Sequence, residues 1–398
     1  MIISDGVADR PVPELNNRTP LQVARKPNMN ELAKRGICGL MHTIAPGVAP
    51  GSDTAHLALL GYDPFKVYTG RGPFEAAGAG IRLKPGDIAF RVNYATVNDN
   101  LIVRNRRAGR IRDTQELEAS IKRIKLPGVR LIFKSTTSHR ATLVLRGKGL
   151  SHKVTDSDPH RERVKIRRVK PLAREAAKTA KLLNEFMNKT HKVLQDHPFN
   201  EKREKEGLLP ANYLLLRGAG VVPHLPSLKE RFGIKGACVA AAALVKGVCR
   251  LAGMAIIDVP GATGTVNTDL DAKRLATVKA LKDHDFVLLH IKGFDEVSHD
   301  GDYEAKVHFI ERVDGLIKQL ADAADYLVLT ADHTTPVTVR EHTGDSVPVV
   351  IAGPGVRSDD IPTYDEYAAA GGGLGRIRGN DLLPTLVDLM SKGKKFGA

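Results

Sequence analysis

Three carboxylates, three imidazoles and one hydroxyl stand out along this 398-residue chain: Asp5, Asp295, Asp332, His299, His333, His342 and Ser52. Asp5 follows the apolar start Ile2-Ile3, and Asp295 and His299 follow Val287 to Ile291. Asp332-His333 follows Leu327 to Leu329, and His342 lies just before a run at Val347. Apolar runs of this length read as strands, and open parallel sheets bind ligands beyond the carboxyl ends of their strands. Carboxylate and imidazole together suit a borderline divalent ion such as Mn²⁺, Co²⁺ or Zn²⁺. Six such ligands exceed the needs of one ion. Two ions about 3.5–4 Å apart would use them all and leave room for a phosphoryl oxygen and the Ser52 hydroxyl. Taken singly, each reads better as an ordinary residue than as a ligand, Asp5 and Asp332 as strand-end caps and His299, His333 and His342 as exposed loop residues. Their joint placement points to a metal centre.

Ser52 sits in Pro50-Gly51-Ser52-Asp53-Thr54-Ala55-His56, where turn residues give way to apolar residues at helical spacing. The stretch predicts a loop entering a helix, with Ser52 at or near the N-cap. A hydroxyl there can cap the helix, or meet an anion that the helix N-terminus attracts.

The elements that must position these groups follow from periodicity. Strands are predicted at Gly36–Met41, Asn212–Leu216, Ala237–Ala240, Ala255–Val259, Phe286–Ile291, Tyr326–Leu329 and Val347–Ile351. Amphipathic helices alternate with them, at Ser227–Phe232, Ala243–Leu251, Asp269–Leu281 and Tyr303–Leu320. That alternation predicts an α/β fold, a mainly parallel sheet with helices on both faces. The opening strand reads as shortened at its amino end. From about residue 83 the pattern changes to hairpins (Ile88–Ala95 with Leu101–Val103, then Val129–Phe133 with Ala141–Leu145) around one helix, Thr114–Ile124. This predicts an inserted α+β cap over residues 83–168, with residues 1–82 and 169–398 as the metal-binding core. A long amphipathic helix is expected from Leu172 to about Leu194.

Composition narrows the function classes. The 42% hydrophobic content fits a globular chain with a sizeable core, and no apolar run reaches about 18 residues, so no membrane span or signal peptide is expected. Cys38, Cys238 and Cys249 form no CxxC pair and read as buried thiols of a cytoplasmic protein. The net charge of +15 is concentrated between about Arg104 and Lys205. No nucleic-acid-binding signature accompanies it, Trp is absent, and a basic pocket for a small anion is the expected use.

The motifs Asp5-Gly6, Gly51-Ser52-Asp53-Thr54-Ala55-His56, Lys292-Gly293-x-Asp295-x-x-x-His299-Asp300-Gly301, Ala331-Asp332-His333-x-x-Pro336 and His342-x-Gly-Asp345-x-Val-Pro348 occur in that order. Together they resemble the archaeal-type cofactor-independent phosphoglycerate mutases of the alkaline phosphatase superfamily. The resemblance covers nearly the whole chain. It implies an alkaline-phosphatase-like core, Ser52 as the phosphoryl-carrying nucleophile and two divalent ions, Mn²⁺ foremost, with Co²⁺, Zn²⁺ or Mg²⁺ as alternatives. It implies no need for 2,3-bisphosphoglycerate. One ion would take Asp5, Ser52, Asp332 and His333, and the other Asp295, His299 and His342. Lys235, in Gly233-Ile234-Lys235-Gly236, is the expected cation for substrate phosphate. In the cap, Asn105-Arg106-Arg107-Ala108-Gly109-Arg110 resembles the family's Asp-Arg-Arg-Ala-Gly-Arg run, with Asn105 in place of the acid. Arg106, Arg107, Arg110 and Arg140 are the expected substrate contacts, since guanidinium forks suit a carboxylate and a phosphate on one small molecule. Asp156 or Asp158 is the candidate acid/base group of the cap.

The expected activity is interconversion of 3-phosphoglycerate and 2-phosphoglycerate through a phosphoserine, in glycolysis and gluconeogenesis. A metal-dependent phosphatase, or a phosphotransferase to another hydroxyl acceptor such as homoserine, would use the same core. A basic scaffold for nucleic acid is the third reading, which the complete ligand set disfavours. The expected partner is a small phosphorylated carboxylate, with neither nucleic acid nor membrane involved.

Overall fold

The structure, a computed structural model, describes residues 1–395 and 397. Thirteen strands occur among the described residues: β1 (Ile2–Ser4), β2 (Ile37–His42), β3 (Ile88–Val97), β4 (Val103–Asn105), β5 (Arg130–Ser135), β6 (Arg140–Arg146), β7 (Tyr213–Val221), β8 (Gly236–Val239), β9 (Ala255–Ile257), β10 (Phe286–Ile291), β11 (Leu327–Thr330), β12 (Val347–Ala352) and β13 (Gly375–Arg378). The chain divides into two compact units, residues 1–67 with 225–398, and residues 68–224.

The first unit holds an eight-stranded sheet in the order β13-β2-β12-β11-β1-β10-β8-β9. From β11 to β9 every pairing is parallel. β12 runs antiparallel to both β11 and β2, and β13 pairs β2 in parallel. All residues of β8, β10, β11 and β12 are buried, as in a sheet covered on both faces. Helices Ser52–Leu59, Ala243–Leu251 and Gly379–Leu389 pack as one group, and Pro27–Arg35, Leu270–Leu281, Gly293–Asp300 and Tyr303–Asp322 as another. The short β1 lies between β10 and β11, so its carboxyl end delivers Asp5 to the middle of the sheet edge. No helix among the described residues is long and apolar enough to cross a membrane.

Two local features depart from expectation. Residues 293–300, read as loop, form a helix closed by Gly301 in the left-handed conformation. Beyond residue 351, where no element was expected, the chain adds β13 and the helix Gly379–Leu389.

The second unit is a five-stranded sheet, β4-β3-β6-β5 with β7 on the free side of β3. Phe90, Val92 and Tyr94 of β3, Leu143 and Leu145 of β6, and Leu214 and Leu216 of β7 enter one core. Leu183, Phe186 and Leu194 from the helix Ala177–Gln195, and Leu117 and Ile121 from the helix Gln115–Lys122, complete it. Each such aliphatic or aromatic side chain stabilises the unit by about 1.5–3 kcal/mol.

This unit is wider than the 83–168 insertion expected. β7 pairs with β3 over its length, and helix Gly72–Gly78 packs on β3 so closely that a Cβ at Gly72 would lie 2.0 Å from the Ala89 carbonyl oxygen. Residues 212–216 were expected in the parallel sheet. They are antiparallel instead, in the other sheet. An all-apolar run such as Tyr213-Leu214-Leu215-Leu216 carries no periodic mark of which sheet it joins.

Candidate metal centre and anion-binding face

The six predicted ligands meet at the carboxyl edge of the first unit's sheet. Asp5 leaves β1 and Asp332-His333 leaves β11. His342 lies on the loop that enters β12. The helix Gly293–Asp300, next after β10, presents Asp295 and His299 four residues apart, hence on one face. Gly6 is required by close approach: its φ is +71°, and a Cβ there would lie 2.7 Å from Thr335 Oγ1 and 3.1 Å from Asp295 Cα.

Two constellations form. In one, His299 Nε2 and His342 Nε2 each lie 3.2 Å from Asp295 Oδ1. Their other ring nitrogens donate to carbonyls, His299 Nδ1 to Arg340 at 2.7 Å and His342 Nδ1 to Pro50 at 2.8 Å. Those bonds place the neutral ring's proton on Nδ1 and turn the Nε2 lone pairs toward the carboxylate. Three acceptors then face one another, which requires a positive charge between them. Without metal that charge is a proton: the Asp295 carboxylate beside it raises His299 to about 9, and His342 is raised as well, Asp295 prevailing over burial.

In the other, His333 Nε2 lies 3.3 Å from Asp5 Oδ1, 3.3 Å from Asp332 Oδ2 and 3.5 Å from Ser52 Oγ. Asp5 Oδ1 and Asp332 Oδ2 are buried with no hydrogen-bond partner. Burial holds His333 down to about 3, so its imidazole is neutral and fit to ligate. Burial, then the nearby Asp5 charge, pushes the Asp332 carboxyl well above the usual range. Both are strains that a bound cation would relieve. Asp295, His299 and His342, and separately Asp5, Asp295 and His333, offer ligand atoms within 4.8 Å of one another. The donor set therefore fits divalent ions.

Ser52 is the first residue of its helix, not the N-cap. Gly51 occupies the cap, and Thr54 Oγ1 accepts the Gly51 N–H at 3.2 Å. The serine hydroxyl makes no capping bond and is left for the constellation around His333.

Three neighbours of the centre had no role assigned, Lys292 and His56 within the motifs and His290 just before one. Lys292 Nζ donates to Asp5 Oδ2 at 3.2 Å and to Asp295 Oδ2 at 2.5 Å, the outer oxygens of one carboxylate from each constellation. His290 Nε2 donates to Asp5 Oδ2 at 2.9 Å, and burial keeps this imidazole below its ordinary range. His56 Nδ1 donates to the Ser52 carbonyl at 2.7 Å, and His56, His290 and Asp332 also offer mutually close ligand atoms. The register of His290 opposite Ile3 was the available signal, and it exists only once β1 and β10 are paired.

Lys235 is a correction. It precedes β8, so it lies at the amino edge of the sheet, exposed, with its N–H on Asp285 Oδ2 at 2.8 Å. The metal-centre residues lie at the opposite edge, and Lys292 is the ammonium that stands there. Lys235→Ala is accordingly expected to leave turnover within about twofold. Lys292→Met is expected to lower kcat by about two orders of magnitude, as for loss of a charge at the reacting group. Steady-state kinetics of the two variants check both.

The second unit gathers arginines on the sheet face opposite its main core. Arg91 faces Arg217 across β3 and β7, and Asn93 faces Arg140 across β3 and β6. Arg71 Nε donates to Glu75 Oε1 at 2.9 Å, and Arg91 Nη1 lies 3.4 Å from the same oxygen. Arg106 forms a fork on buried Asp158, 3.0 Å from Nε to Oδ1 and 2.6 Å from Nη2 to Oδ2, with Arg217 4.0 Å away. Four guanidiniums thus share two carboxylates, with Arg140 on the same sheet face. Arg91 Nε and Arg217 Nε are buried with no hydrogen-bond partner. Burial and the guanidiniums of Arg140, Arg107, Arg91 and Arg217 push His139 down to about 3. The face is built for an anion.

Of the expected contacts, Arg140 lies on this face, while Arg106 spends two donors on Asp158. Arg107 and Arg110 are exposed beside the turn that Asn105 Oδ1 closes by accepting the Arg107 and Gly109 N–H groups. Asn105 thereby does with its carbonyl oxygen what an acid would do. Asp158 is held ionised by Arg106 against its burial, which unfits it as a proton donor. Asp156 is half-buried, accepting the Gly218 N–H at 2.9 Å and lying 3.2 Å from His160 Nε2. Arg71, Arg91 and Arg217 were not expected, because only strand register and packing bring them together.

The profile of the family described as 2,3-bisphosphoglycerate-independent phosphoglycerate mutase matches residues 33–200. A protein of that name from Archaeoglobus fulgidus is 53% identical over 409 residues, covering 100% of this chain and 99% of the relative. One from Methanothermobacter thermautotrophicus is 51% identical over 405 residues, with the same coverage. This chain belongs to that family. It is thus an enzyme of the isomerase class, a phosphoglycerate mutase by kinship. The cofactor-independent phosphoglycerate mutase from Thermoplasma acidophilum has the same fold, with TM-score 0.72, 40% identity and 98% of each chain covered. A structure from Pyrococcus horikoshii superposes with TM-score 0.87 at 41% identity, covering 100% of this chain and 98% of that one. For a mutase of this family, the hydroxyl at the metal centre and the guanidinium face are the two features with direct chemical use.

Proposed function

We propose that the chain interconverts 3-phosphoglycerate and 2-phosphoglycerate through a phosphoserine on Ser52, at a centre for two divalent ions, as a cytoplasmic step of glycolysis and gluconeogenesis. The observation that carries this is the Ser52 hydroxyl, free of any capping role and 3.5 Å from His333 within a cluster of orphaned ligand atoms. Asp5, Ser52, Asp332 and His333 would hold one ion, and Asp295, His299 and His342 the other, Mn²⁺ being the first candidate. When bound, the ions neutralise charge on the phosphoryl group and ease loss of the Ser52 proton.

Ser52 Oγ attacks phosphorus, the bond from phosphorus to the substrate oxygen breaks, and glycerate leaves with a proton gained at that oxygen. Glycerate's other hydroxyl then attacks phosphorus and gives up its proton, the bond from phosphorus to Ser52 Oγ breaks, and Oγ regains a proton. Lys292, a quarter exposed with two donors committed, would offer its third to a phosphoryl oxygen. The guanidinium face of the second unit, which carries two orphaned buried Nε atoms, is taken as a subsite for the anionic substrate, with no role for nucleic acid or membrane. Arg217→Gln should therefore raise KM for 3-phosphoglycerate about tenfold or more with a smaller fall in kcat.

The deciding experiment is an enolase-coupled assay on chelated protein restored with Mn²⁺, without 2,3-bisphosphoglycerate, beside an assay for free phosphate. Mutase turnover without phosphate release is the expected result. Release of free phosphate alone would replace the mutase reading with a phosphatase.

A further inference from the structure

Behind the metal centre lies a buried ion pair that none of the proposed chemistry uses. Lys306 stands in the first turn of the helix Tyr303–Asp322, and its side chain is wholly buried, as is that of Asp9. Its ammonium has three donors and three acceptors: Asp9 Oδ2 at 2.7 Å, the Thr335 carbonyl at 3.0 Å and the Ala8 carbonyl at 3.4 Å. Asp9 in turn accepts the Arg10 N–H at 2.8 Å and the Val337 N–H at 3.2 Å. Its own N–H donates to Glu366 Oε1 at 2.9 Å.

The places these bonds tie together are specific. Ala8 and Asp9 belong to the loop that carries Asp5. Thr335 and Val337 belong to the loop that carries Asp332 and His333. Thr335 Oγ1 shares a hydrogen bond with His333 Nδ1 at 2.9 Å and lies 3.4 Å from Asp295 Oδ1. The helix bearing Lys306 packs on the helix bearing Asp295 and His299, with the Phe294 and Phe309 rings 4.7 Å apart. One ammonium therefore joins the Asp5 loop to the Asp332-His333 loop, from a helix packed on the one that supplies Asp295 and His299.

We propose that Lys306, with Asp9, is a positioning residue of the metal centre: it holds the Asp5 loop and the Asp332-His333-Thr335 loop in the register at which their ligand atoms converge. The proposal rests on the two-ion reading above. Outer bonds that orient ligands typically govern metal affinity by 10- to 100-fold, and this clamp acts one bond further out, through backbone.

The test uses the full chain, chelated, with Mn²⁺ alone as the probe. Lys306→Met removes the ammonium. Because that leaves a buried carboxylate unpaired, Asp9→Asn/Lys306→Met is made beside it, removing both charges at nearly constant volume. Mn²⁺ affinity is read by calorimetry, the Tm of the chelated protein by circular dichroism, and kcat and KM at saturating Mn²⁺. The expected result, in the folded double variant above all, is Mn²⁺ affinity at least tenfold weaker, kcat lowered, and KM for 3-phosphoglycerate within twofold of wild type. A lowered Tm with wild-type Mn²⁺ affinity would mean the pair serves stability alone and would overturn the proposal. If the wild-type chain itself takes up no Mn²⁺, the two-ion reading fails first, and that outcome is visible before any variant is compared.

Discussion

Ser52→Ala is expected to abolish turnover, lowering kcat by at least about four orders of magnitude, because the variant lacks the hydroxyl proposed to carry the phosphoryl group. The variant should keep its fold. The Ser52 side chain makes no capping bond, and Gly51 with Thr54 closes the helix start without it. Thermal unfolding of the chelated variant should match that of the wild type. Rapid quenching with labelled 3-phosphoglycerate should trap label on the wild-type chain and none on the variant. Near-normal mutase turnover by the folded variant would rule out the phosphoserine route.

Asp295→Ala should have an effect of similar size through a different cause. Asp295 Oδ1 is where His299 and His342 converge, and Oδ2 anchors Lys292. Without it, one constellation loses its centre while Asp5, Asp332 and His333 remain. Bound Mn²⁺ should fall from two ions to one per chain, and kcat by about three orders of magnitude or more.

The pH dependence of metal uptake follows from the same contact. In the metal-free chain the Asp295 carboxylate holds a proton on His299 up to about pH 9. A metal ion must displace that proton, so Mn²⁺ affinity in the wild type should rise with pH and level off near 9. In Asp295→Ala the His299 imidazole loses its partner, and the proton should leave at lower pH. Imidazole resonances followed by NMR across pH 5 to 10 in both metal-free proteins would show whether Asp295 is the cause.

The fold and the centre differ in how far they could be read from sequence. Parallel strands rich in buried aliphatic residues announce themselves, and β10 and the helix Ala243–Leu251 fall where periodicity puts them. Residues 293–300 form a helix that no apolar periodicity marks, because charged residues interrupt the pattern, although the Asp295 and His299 spacing is helical. β7 was assigned to the wrong sheet because its apolar run is compatible with either. The narrower cap expected followed from that error, since β7 and the helix Ala177–Gln195 pack in the second unit's core and the unit runs to residue 224.

The amino-acid sequence by itself pointed to the residues that gather at the candidate centre. Asp5, Asp295, Asp332 and His333 sit one to four residues past the ends of strands, where local spacing alone delivers a side chain to the sheet edge, and Ser52 begins a helix whose start is legible in its turn residues. Tertiary structure alone decided which charges accompany them. Lys235 and Lys292 lie beside strands that pair in one sheet, but at opposite edges of it, and strand direction rather than residue type separates them. Arg91 and Arg217 are 126 positions apart and become neighbours only through the β3–β7 register. Lys306 meets Asp9 and Thr335 only when a helix packs beneath two loops. Contacts of that kind depend on pairing between distant segments, which no local periodicity records.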